Sequence, residues 1–316
     1  MISNEPILQV VDTNPGLQES VLNTLKYFHI FQHPLYIHEI HKFLSIPTSR
    51  QELLFTLNDM VRSGKVFSEY GMYSLTNSSQ VYLKRLVGAD IAAEKMKDAT
   101  RSAKIIAGFP FVKSVCVSGS LSKGYADENS DIDFFIITSH KRLWICRTLL
   151  HLFKKTTFIL NRQHSFCMNY FIDEQRLCLE EQNLFTATEL STLIPLYNTD
   201  VHRKLMQDNS AWLSSYFPNM SYMCVETGKA QSKARLRNLA ERLINSFRPE
   251  AANNFLMRLT DRLWRSKWRR KNYPMADYDL AMKTRWYVSK QHPLNYQKKV
   301  LDIRENDSYL STAVSI

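Results

Sequence analysis

The sequence predicts a multidomain α/β (α+β) protein, in which a core containing a sheet lies between an N-terminal helical domain and a C-terminal helical region. The apolar runs VKSVCV and FFIIT have the composition of buried strands. Apolar residues recur at helical spacing both before and after these runs. A chain of 316 residues, 44% of them hydrophobic, can form more than one hydrophobic core. We therefore expect two or three folded domains.

The N-terminal region is predicted to contain three helices and a hairpin. Residues 1–16 are polar and rich in turn formers, which predicts a flexible leader. Within residues 17–76, LQESVLNTLKYFHIF and YIHEIHKFL have helical periodicity, and RSGKVFSEYGMYSLT has the pattern of two strands. A third helix begins near Thr48 or Ser49, with Glu52 placed for a capping box.

This order of elements resembles a winged helix-turn-helix domain. The resemblance implies DNA binding through the third helix. However, the only basic residues between Ser49 and Gly64 are Arg50 and Arg62, and phosphate contacts need a surplus of positive charge. Docking of a partner and a scaffolding role are therefore alternatives to DNA binding.

Residues 77–107 are predicted to form a connecting helix, which ends before a core at residues 108–182. That core contains VCVSGSLSKGYADENSDIDFFIIT, where the pair Gly119 and Ser120 follows one strand and Asp131 and Asp133 open the next. Residues i and i+2 of a strand share a face, so the two carboxylates point the same way. Mg²⁺ is commonly held by one or two carboxylates together with substrate phosphates, and a glycine turn lets backbone N–H groups approach phosphate. The pattern predicts a site for a metal-bound triphosphate.

The segment GSLSKGYADENSDID resembles the nucleotidyltransferases of the DNA polymerase beta superfamily, and especially its small bacterial branch. The resemblance implies a mixed-sheet core, Mg²⁺ (with Mn²⁺ as an alternative) held by Asp131 and Asp133, and a nucleoside triphosphate as substrate. It also implies that Gly119 and Ser120 grip the triphosphate. Ser130 matches a family position. Lys123 either adds positive charge at the phosphates or is a solvated helix residue.

Such enzymes usually carry a third carboxylate on a neighbouring strand, here predicted in HSFCMNYFIDEQ. Asn169 stands where family members often have an acid, and an amide can orient a hydroxyl or bind a metal but cannot act as a general base. Asp173 shares a strand face with Asn169 and is the alternative third acid, although it lies about 13 Å further along the strand. Asn169 is therefore the positional candidate for nucleotide binding and Asp173 the candidate third catalytic acid.

Residues 183–305 are predicted to form a helical C-terminal subdomain, and residues 306–316 a disordered tail. The net charge of +11 is concentrated in this half of the chain, because residues 261–299 carry eleven Lys or Arg against three Asp. Aromatic residues interleave with this charge. Three interpretations stay open: a nucleic-acid groove, a helical core with a solvated basic face, and contact of Lys283, Arg285 or Lys290 with the triphosphate.

The sequence predicts a cytoplasmic protein without a membrane partner. It lacks a run of eighteen apolar residues, and its five cysteines are widely spaced and mostly in apolar runs. Two functions remain. The first is an enzyme that moves a nucleoside monophosphate from a triphosphate to a small molecule, an RNA or a protein. The second is a nucleotide- or nucleic-acid-binding regulator with weakened catalysis.

Overall fold

The computed structural model describes residues 14–157, 166–220 and 234–305. They divide into two compact units, the first made of residues 14–83 and 214–220 and the second of the remaining described residues. The predicted tail, residues 1–13 of the predicted leader, and Cys224 lie outside the described residues. The division differs from the predicted one, because the boundary falls within the predicted connecting helix and most of that helix belongs to the second unit.

The first unit contains three helices and a three-stranded antiparallel sheet. Its elements are, in chain order, α1 (Pro15–His29), β1 (Leu35–Tyr36), α2 (Ile37–Phe43), α3 (Arg50–Arg62), β2 (Phe67–Glu69) and β3 (Met72–Ser74), with sheet order β1-β3-β2. The Ser49 side chain accepts a hydrogen bond from the Glu52 amide, as predicted from the cap sequence. Tyr70 and Gly71, with φ of 51° and 73°, form the hairpin turn. The identification of this unit as a winged helix stays a prediction.

The second unit contains a six-stranded sheet with helices. Its elements are α4 (Ser79–Ala107, which begins in the first unit), β4 (Val112–Val117), β5 (Asp133–Thr138), α5 (Leu143–Thr157), β6 (Cys167–Asp173), α6 (Leu184–Ser191), β7 (Ile194–Tyr197), α7 (Thr199–Tyr216, which ends in the first unit), α8 (Ala234–Asn245), α9 (Pro249–Arg270), α10 (Tyr278–Ala281), β8 (Met282–Arg285), β9 (Val288–Gln291) and α11 (Tyr296–Glu305).

The sheet is mixed, with strand order β7-β4-β5-β6-β9-β8. Only β5 and β6 are parallel, and the other neighbours are antiparallel. The predicted strands around VKSVCV and FFIIT are confirmed as an antiparallel pair, and the predicted strand near residues 165–172 is the parallel neighbour of β5. This arrangement brings the start of β5 beside the end of β4 and the start of β6.

The prediction of a helical C-terminal subdomain at residues 183–305 missed three strands, because this region supplies β7, β8 and β9, half of the strands in the sheet. All three strands have only four residues, and β7 contains Pro195, which disfavours a strand in the sheet interior. Strands of only four residues are too short to show a clear period in the sequence, so their pairing partners in the core decide their conformation.

The predicted connecting helix is instead part of the core. Ala92, Ala99, Ala103 and Ile106 of α4 are buried in one hydrophobic cluster with apolar residues of β4, β5 and α5. Small alanine side chains let this helix approach the sheet closely. A helix rich in alanine and charge has the composition of an exposed linker, which explains why the sequence suggested a connector. Among the described residues, no helix combines the length and the hydropathy needed to span a bilayer.

Candidate functional site

The glycine-serine turn lies directly against a carboxylate. The Ser118 amide donates to the Asp133 carbonyl oxygen at 3.0 Å, which carries the β4–β5 pairing to the edge of the turn. Gly119 then adopts φ of +68°, and a Cβ atom at this position would lie 2.6 Å from Oδ2 of Asp133. Both the backbone conformation and this contact require glycine. The space between the Gly119 backbone and the Asp133 carboxylate is therefore too small for a side chain at position 119.

The turn is closed by its own hydrogen bonds. The Gly119 carbonyl oxygen accepts from Ser122 Oγ at 2.9 Å and from Lys123 Nζ at 3.1 Å. The Ser120 carbonyl oxygen accepts from the amides of Lys123 and Tyr125. Ser120 itself is exposed to solvent, at the start of a single turn of 3₁₀ helix. Its position beside Gly119 lets a ligand reach both residues.

Helix α4 supports the loop that follows this turn. A Cβ atom on Gly88 would lie 2.3 Å from the Tyr125 ring, and the Gly88 carbonyl oxygen accepts from the Ala126 amide at 3.1 Å. Arg85 donates from Nη1 to the carbonyl oxygen of Gly124. The helix that the sequence presented as a connector thus positions the loop between the glycine-serine turn and the aspartates.

The two predicted aspartates bracket the entry to β5. Asp131 is exposed and lies two residues before the strand, Ile132 is buried at 4% exposure, and Asp133 is the partly buried first residue of β5. The alternation expected for a strand is therefore present. Asp131 stands at the solvent edge, while Asp133 stands at the turn.

The pKa of Asp133 is raised to about 6, mainly by burial, and the negative charges of Asp131 and Glu189 raise it further. A hydrogen bond with Cys167 and the charge of Lys123 act in the opposite direction. The pKa of the Cys167 thiol is itself raised to about 12 by burial and by the neighbouring Asp133 charge. Asp133 is thus a carboxylate whose ionised form lacks full compensation from the protein, which is the setting in which a cation binds well.

Asn169 reaches Asp133 because of a bulge in β6. Asp133 pairs with Cys167 and Phe134 with Met168, but Phe135 then pairs with Tyr170, which leaves Asn169 as the extra residue. A bulge redirects a side chain, and here Nδ2 of Asn169 donates to Oδ1 of Asp133 at 2.9 Å. The structure therefore brings Asn169 into the site as the sequence position suggested.

Lys123 is paired inside the site. Its Nζ donates to Oε1 of Glu189 at 2.7 Å as well as to the Gly119 carbonyl oxygen, and its side chain is only 15% exposed. The Lys123 ammonium group is therefore already paired with a carboxylate of the protein. Glu189 comes from α6, and sequence reasoning missed it because no motif marks an acid that reaches the site from another element. Cys167 was missed for the same reason.

Ser130 shapes the loop before β5. Its Oγ accepts from the Asp127 amide at 2.9 Å, and its own amide donates to the Asp127 carbonyl oxygen. Lys95 of α4 donates to the Ser130 carbonyl oxygen at 2.6 Å. These bonds form a turn that aims Asp131 and Asp133, so Ser130 contributes to the site through the loop conformation.

Asp173 is not brought to the site. It pairs with Thr138 at the far end of the parallel β5–β6 ladder, six residues from Cys167 and about 20 Å away by strand rise. It is fully buried and accepts from the Lys141 and Gln175 amides, while His140 Nδ1 lies 3.2 Å from its Oδ1. Asp173 holds the loop after β5 against the end of β6.

Several of the basic C-terminal residues are engaged within the second unit. Lys283 pairs with Glu180 at 2.9 Å, and the buried Lys290 pairs with Glu181 at 2.7 Å. The aromatics Trp264 and Tyr278 are buried, with arginine guanidinium groups against their rings. The proposed stacking faces and triphosphate contacts in this region are thus partly occupied by internal packing.

The oxygen ligands at the turn fit one divalent cation better than two. Within residues 14–157, 166–220 and 234–305, no group of three or more His, Cys, Asp or Glu side chains is arranged to hold a metal ion. Asp131 and Asp133 nevertheless form a pair of hard oxygen donors, and burial destabilises the charge of the second. Two carboxylates are sufficient for Mg²⁺ when substrate phosphates complete its coordination.

The glycine-serine turn after β4 packs on Asp133, the first residue of β5, within a mixed sheet. This arrangement defines a candidate metal-nucleotide site. Comparison with protein families agrees with this class: residues 101–183 match the nucleotidyltransferase domain family. The match begins near the C-terminal end of α4 and continues past β6, so it includes the glycine-serine turn, both aspartates and Asn169 but not Glu189. It supports the nucleotidyltransferase superfamily and a transferase activity for this part of the chain. No curated protein and no solved structure matched the chain.

Proposed function

We propose that the protein is a Mg²⁺-dependent nucleotidyltransferase, which moves a nucleoside monophosphate from a triphosphate to an acceptor hydroxyl or amine. The observation that carries this proposal is the contact between Gly119 and the Asp133 carboxylate. It brings a turn suited to phosphate to within atomic contact of a metal-binding acid. Mn²⁺ could take the place of Mg²⁺ because it accepts similar oxygen ligands.

Asp131 and Asp133 would hold the metal, which neutralises phosphate charge when it is bound. Gly119 and Ser120 would hold phosphate oxygens through the backbone and the Ser120 hydroxyl. The acceptor oxygen or nitrogen then forms a bond to the α-phosphorus and loses its proton to solvent, the bond from that phosphorus to the bridging oxygen breaks, and pyrophosphate leaves. Such reactions depend mainly on positioning and on stabilisation of charge, which the turn and the carboxylates supply.

Glu189 and Lys123 support the turn in this proposal. Lys123 links the Gly119 carbonyl oxygen to Glu189 of α6, so these two side chains help to hold the backbone that would bind phosphate. Asn169 would orient the Asp133 carboxylate through its 2.9 Å hydrogen bond. All three are positioning residues, because none of them is required to touch the reacting atoms.

The test is pyrophosphate release from labelled nucleoside triphosphates with Mg²⁺ and candidate acceptors, including tRNA. The Asp131→Asn, Asp133→Asn double variant should lose release by at least about a hundredfold, because removal of groups that stabilise transition-state charge has effects of this size. The matched control is Asp98→Asn, Asp200→Asn, which removes the same charge from two exposed surface positions. Equal release from wild type and the double variant would show that this site is not its source.

A second candidate function, a nucleotide- or nucleic-acid-binding regulator, is favoured by one observation. Asn169 cannot act as a base, and no other acid on β6 reaches Asp133 among the described residues. The regulator would bind Mg²⁺ and a triphosphate without turnover. Equilibrium binding of a non-hydrolysable triphosphate separates the two functions: affinity that depends on Asp131 and Asp133, without release of pyrophosphate with any acceptor, would favour the regulator.

A further inference from the structure

Helices α8 and α9, with the short link between them, carry large apolar side chains that face solvent. Their exposure ranges from 39% for Leu259 to 72% for Phe247. The set, called here the apolar rows, comprises Leu236, Leu239, Leu243 and Phe247 from α8 and its link, and Phe255, Leu259 and Leu263 from α9. Isolated exposed leucines are normal on protein surfaces, but consecutive helices with such rows are not.

Each row lies on one side of its helix. Leu236, Leu239 and Leu243 are spaced i, i+3 and i+7, and Phe255, Leu259 and Leu263 are spaced i, i+4 and i+8. These spacings place side chains along a single stripe. In a globular protein such a stripe normally faces the core, whereas in α8 and α9 it faces outward.

Polar anchors set the orientation of α8. Arg237 donates to the Tyr197 hydroxyl at 2.9 Å and to the Ala107 carbonyl oxygen at 3.3 Å. Glu241 accepts from the Phe111 amide at 2.8 Å. These contacts hold the side of α8 opposite to its apolar row against the core, so the row is turned outward by specific bonds.

The other helix is anchored in the same way. Asn253 is buried at 1% exposure, and its Oδ1 accepts from the Trp144 and Ile145 amides at 2.8 and 3.3 Å. Asn253 thereby supplies an acceptor for two amide donors in the first turn of α5. Asp261 accepts from the Thr284 hydroxyl of β8. Because both residues lie on the side away from Phe255 and Leu259, rotation of α9 to bury its row would break these bonds.

A basic row runs beside each apolar row. It comprises Arg235 and Arg242 on α8, and Arg258, Arg262 and Arg269 on α9, all exposed. None of these arginines forms an ion pair with a carboxylate within the described part of the chain. The acids of the two helices are engaged elsewhere: Glu241 and Asp261 by the anchors, and Glu250 by Lys141 at 3.3 Å.

We propose that the apolar and basic rows of α8 and α9 bind the surface of a bilayer that contains anionic lipid. Leucine and phenylalanine on one stripe with arginine beside it is the composition of helices that lie in the membrane interface. The apolar rows insert among the acyl chains near the headgroups, and the arginines bind lipid phosphates. The sequence alone predicted no membrane partner, because it lacks a long apolar run and the rows alternate with polar residues.

Charge favours this occupant over the alternatives. A second copy of the chain docked on the same face would bring basic rows together without an acid to neutralise them. Nucleic acid would pair with the arginines but would leave the leucines without favourable contacts, since base recognition uses aromatic stacking. An anionic bilayer satisfies the arginines and the leucines at the same time.

The experiment is co-sedimentation of the full-length, nuclease-treated protein with vesicles of phosphatidylcholine alone and with vesicles that also contain phosphatidylglycerol. We expect binding to the anionic vesicles only, weakened by salt. Two double variants should each weaken binding to anionic vesicles at least about tenfold. The first is Leu239→Ser, Leu259→Ser, and the second is Arg242→Gln, Arg262→Gln. Matched controls are Leu54→Ser, Phe55→Ser in the first unit, which are also exposed, and Lys104→Gln, Lys204→Gln for charge.

The proposal is overturned if wild type does not bind anionic vesicles, or if the control variants weaken binding as much as the row variants. It is also overturned if light scattering detects a dimer that Leu239→Ser, Leu259→Ser dissociates, because the rows would then be an interface between copies. Circular dichroism establishes that each variant is folded. No nucleotide enters the assay, so its outcome is independent of the proposed transferase activity.

Discussion

A Cβ atom on Gly119 would lie 2.6 Å from Oδ2 of Asp133, so the glycine-serine turn lies in contact with the carboxylate that opens β5. This contact joins two features that are fourteen residues apart in the sequence. It also means that the turn cannot change without moving the carboxylate, which makes the pair sensitive to small substitutions.

Gly119→Ala should abolish most nucleotide binding while leaving the chain folded. The added methyl group must displace Asp133 or the turn, and a left-handed backbone costs a non-glycine residue about 1–2 kcal/mol. Gly64→Ala is the matched control, because Gly64 has φ of +70° but open space around its Cβ position. We expect Gly64→Ala to lose thermal stability through the backbone alone, Gly119→Ala to lose at least as much, and only Gly119→Ala to lose triphosphate affinity in calorimetry. Equal affinity in the two variants would contradict a role of the turn.

The raised pKa of Asp133 should make the free energy of unfolding decrease as the pH rises from about 4 to about 6. Its pKa is raised to about 6 in the folded protein, so the native state keeps a proton that the unfolded chain has already released. The free energy of unfolding therefore decreases as the pH rises through this window, by up to about 3 kcal/mol, and is flat for this group above it.

Chemical denaturation across the pH range checks this effect as a difference between wild type and Asp133→Asn. The variant should be the more stable protein at pH 7 without metal, and the difference should vanish near pH 4. Asp131→Asn serves as comparison, because it removes only a neighbouring charge and should recover part of the difference. A variant that is less stable than wild type at pH 7 would mean that the Asp133 charge is well compensated.

Asn169→Asp should place a third carboxylate beside Asp133, at the position where the sequence resemblance implies an acid. Without metal, the new charge beside Asp133 should lower the melting temperature, because like charges in a partly buried site repel. Addition of Mg²⁺ should raise the melting temperature of the variant again, since binding to the native state adds stability. The rise should be larger than the rise that Mg²⁺ causes in wild type. Differential scanning calorimetry with and without Mg²⁺ measures both effects.

Asn183→Asp adds the same charge at the N-cap of α6, where aspartate is well accepted, and should be insensitive to Mg²⁺. If Asn169→Asp responded to Mg²⁺ no more than this control, the bulge residue would not face the metal site.

Glu189→Gln should shift the acidic limb of the pH–activity profile toward lower pH. The Glu189 charge contributes to the raised pKa of Asp133, so its removal lowers that pKa. The variant should also raise KM for the triphosphate, because Lys123 loses the negative charge of its 2.7 Å partner and holds the Gly119 carbonyl oxygen less firmly. Glu189→Asp should recover part of both effects.

Glu250→Gln, which breaks an exposed ion pair with Lys141, should leave the profile unchanged. A wild-type profile for Glu189→Gln would assign Glu189 a purely structural role.

Asp173→Asn should destabilise the fold without affecting the site. The buried carboxylate accepts hydrogen bonds from the Lys141 and Gln175 amides, and loss of one acceptor costs about 1–3 kcal/mol. We expect a lower melting temperature and an unchanged triphosphate affinity at 20 °C or below, where the variant stays folded. A folded variant that had lost triphosphate affinity or pyrophosphate release would return Asp173 to the catalytic candidates.

Local pattern in the sequence was enough to predict most of the secondary structure around the site. The strands flanking Gly119 and Asp133 are short apolar runs whose conformation is set by their own composition and burial. The spacing of Asp131 and Asp133 predicted their alternation around Ile132, because a strand has a fixed period of two. The α3 cap at Ser49 was predictable for the same reason, since capping depends on residues only three positions apart.

Only the tertiary structure decided which side chains surround those aspartates. Glu189 and Lys123 meet across sixty-six residues, Asn169 turns toward Asp133 through a bulge, and Asp173 lies at the other end of its strand. The apolar rows of α8 and α9 have the same pattern as buried helices, and only their anchors reveal that they face outward. Sequence periodicity specifies that a helix or strand has two unlike faces, whereas long-range packing and hydrogen bonds choose which face meets the core.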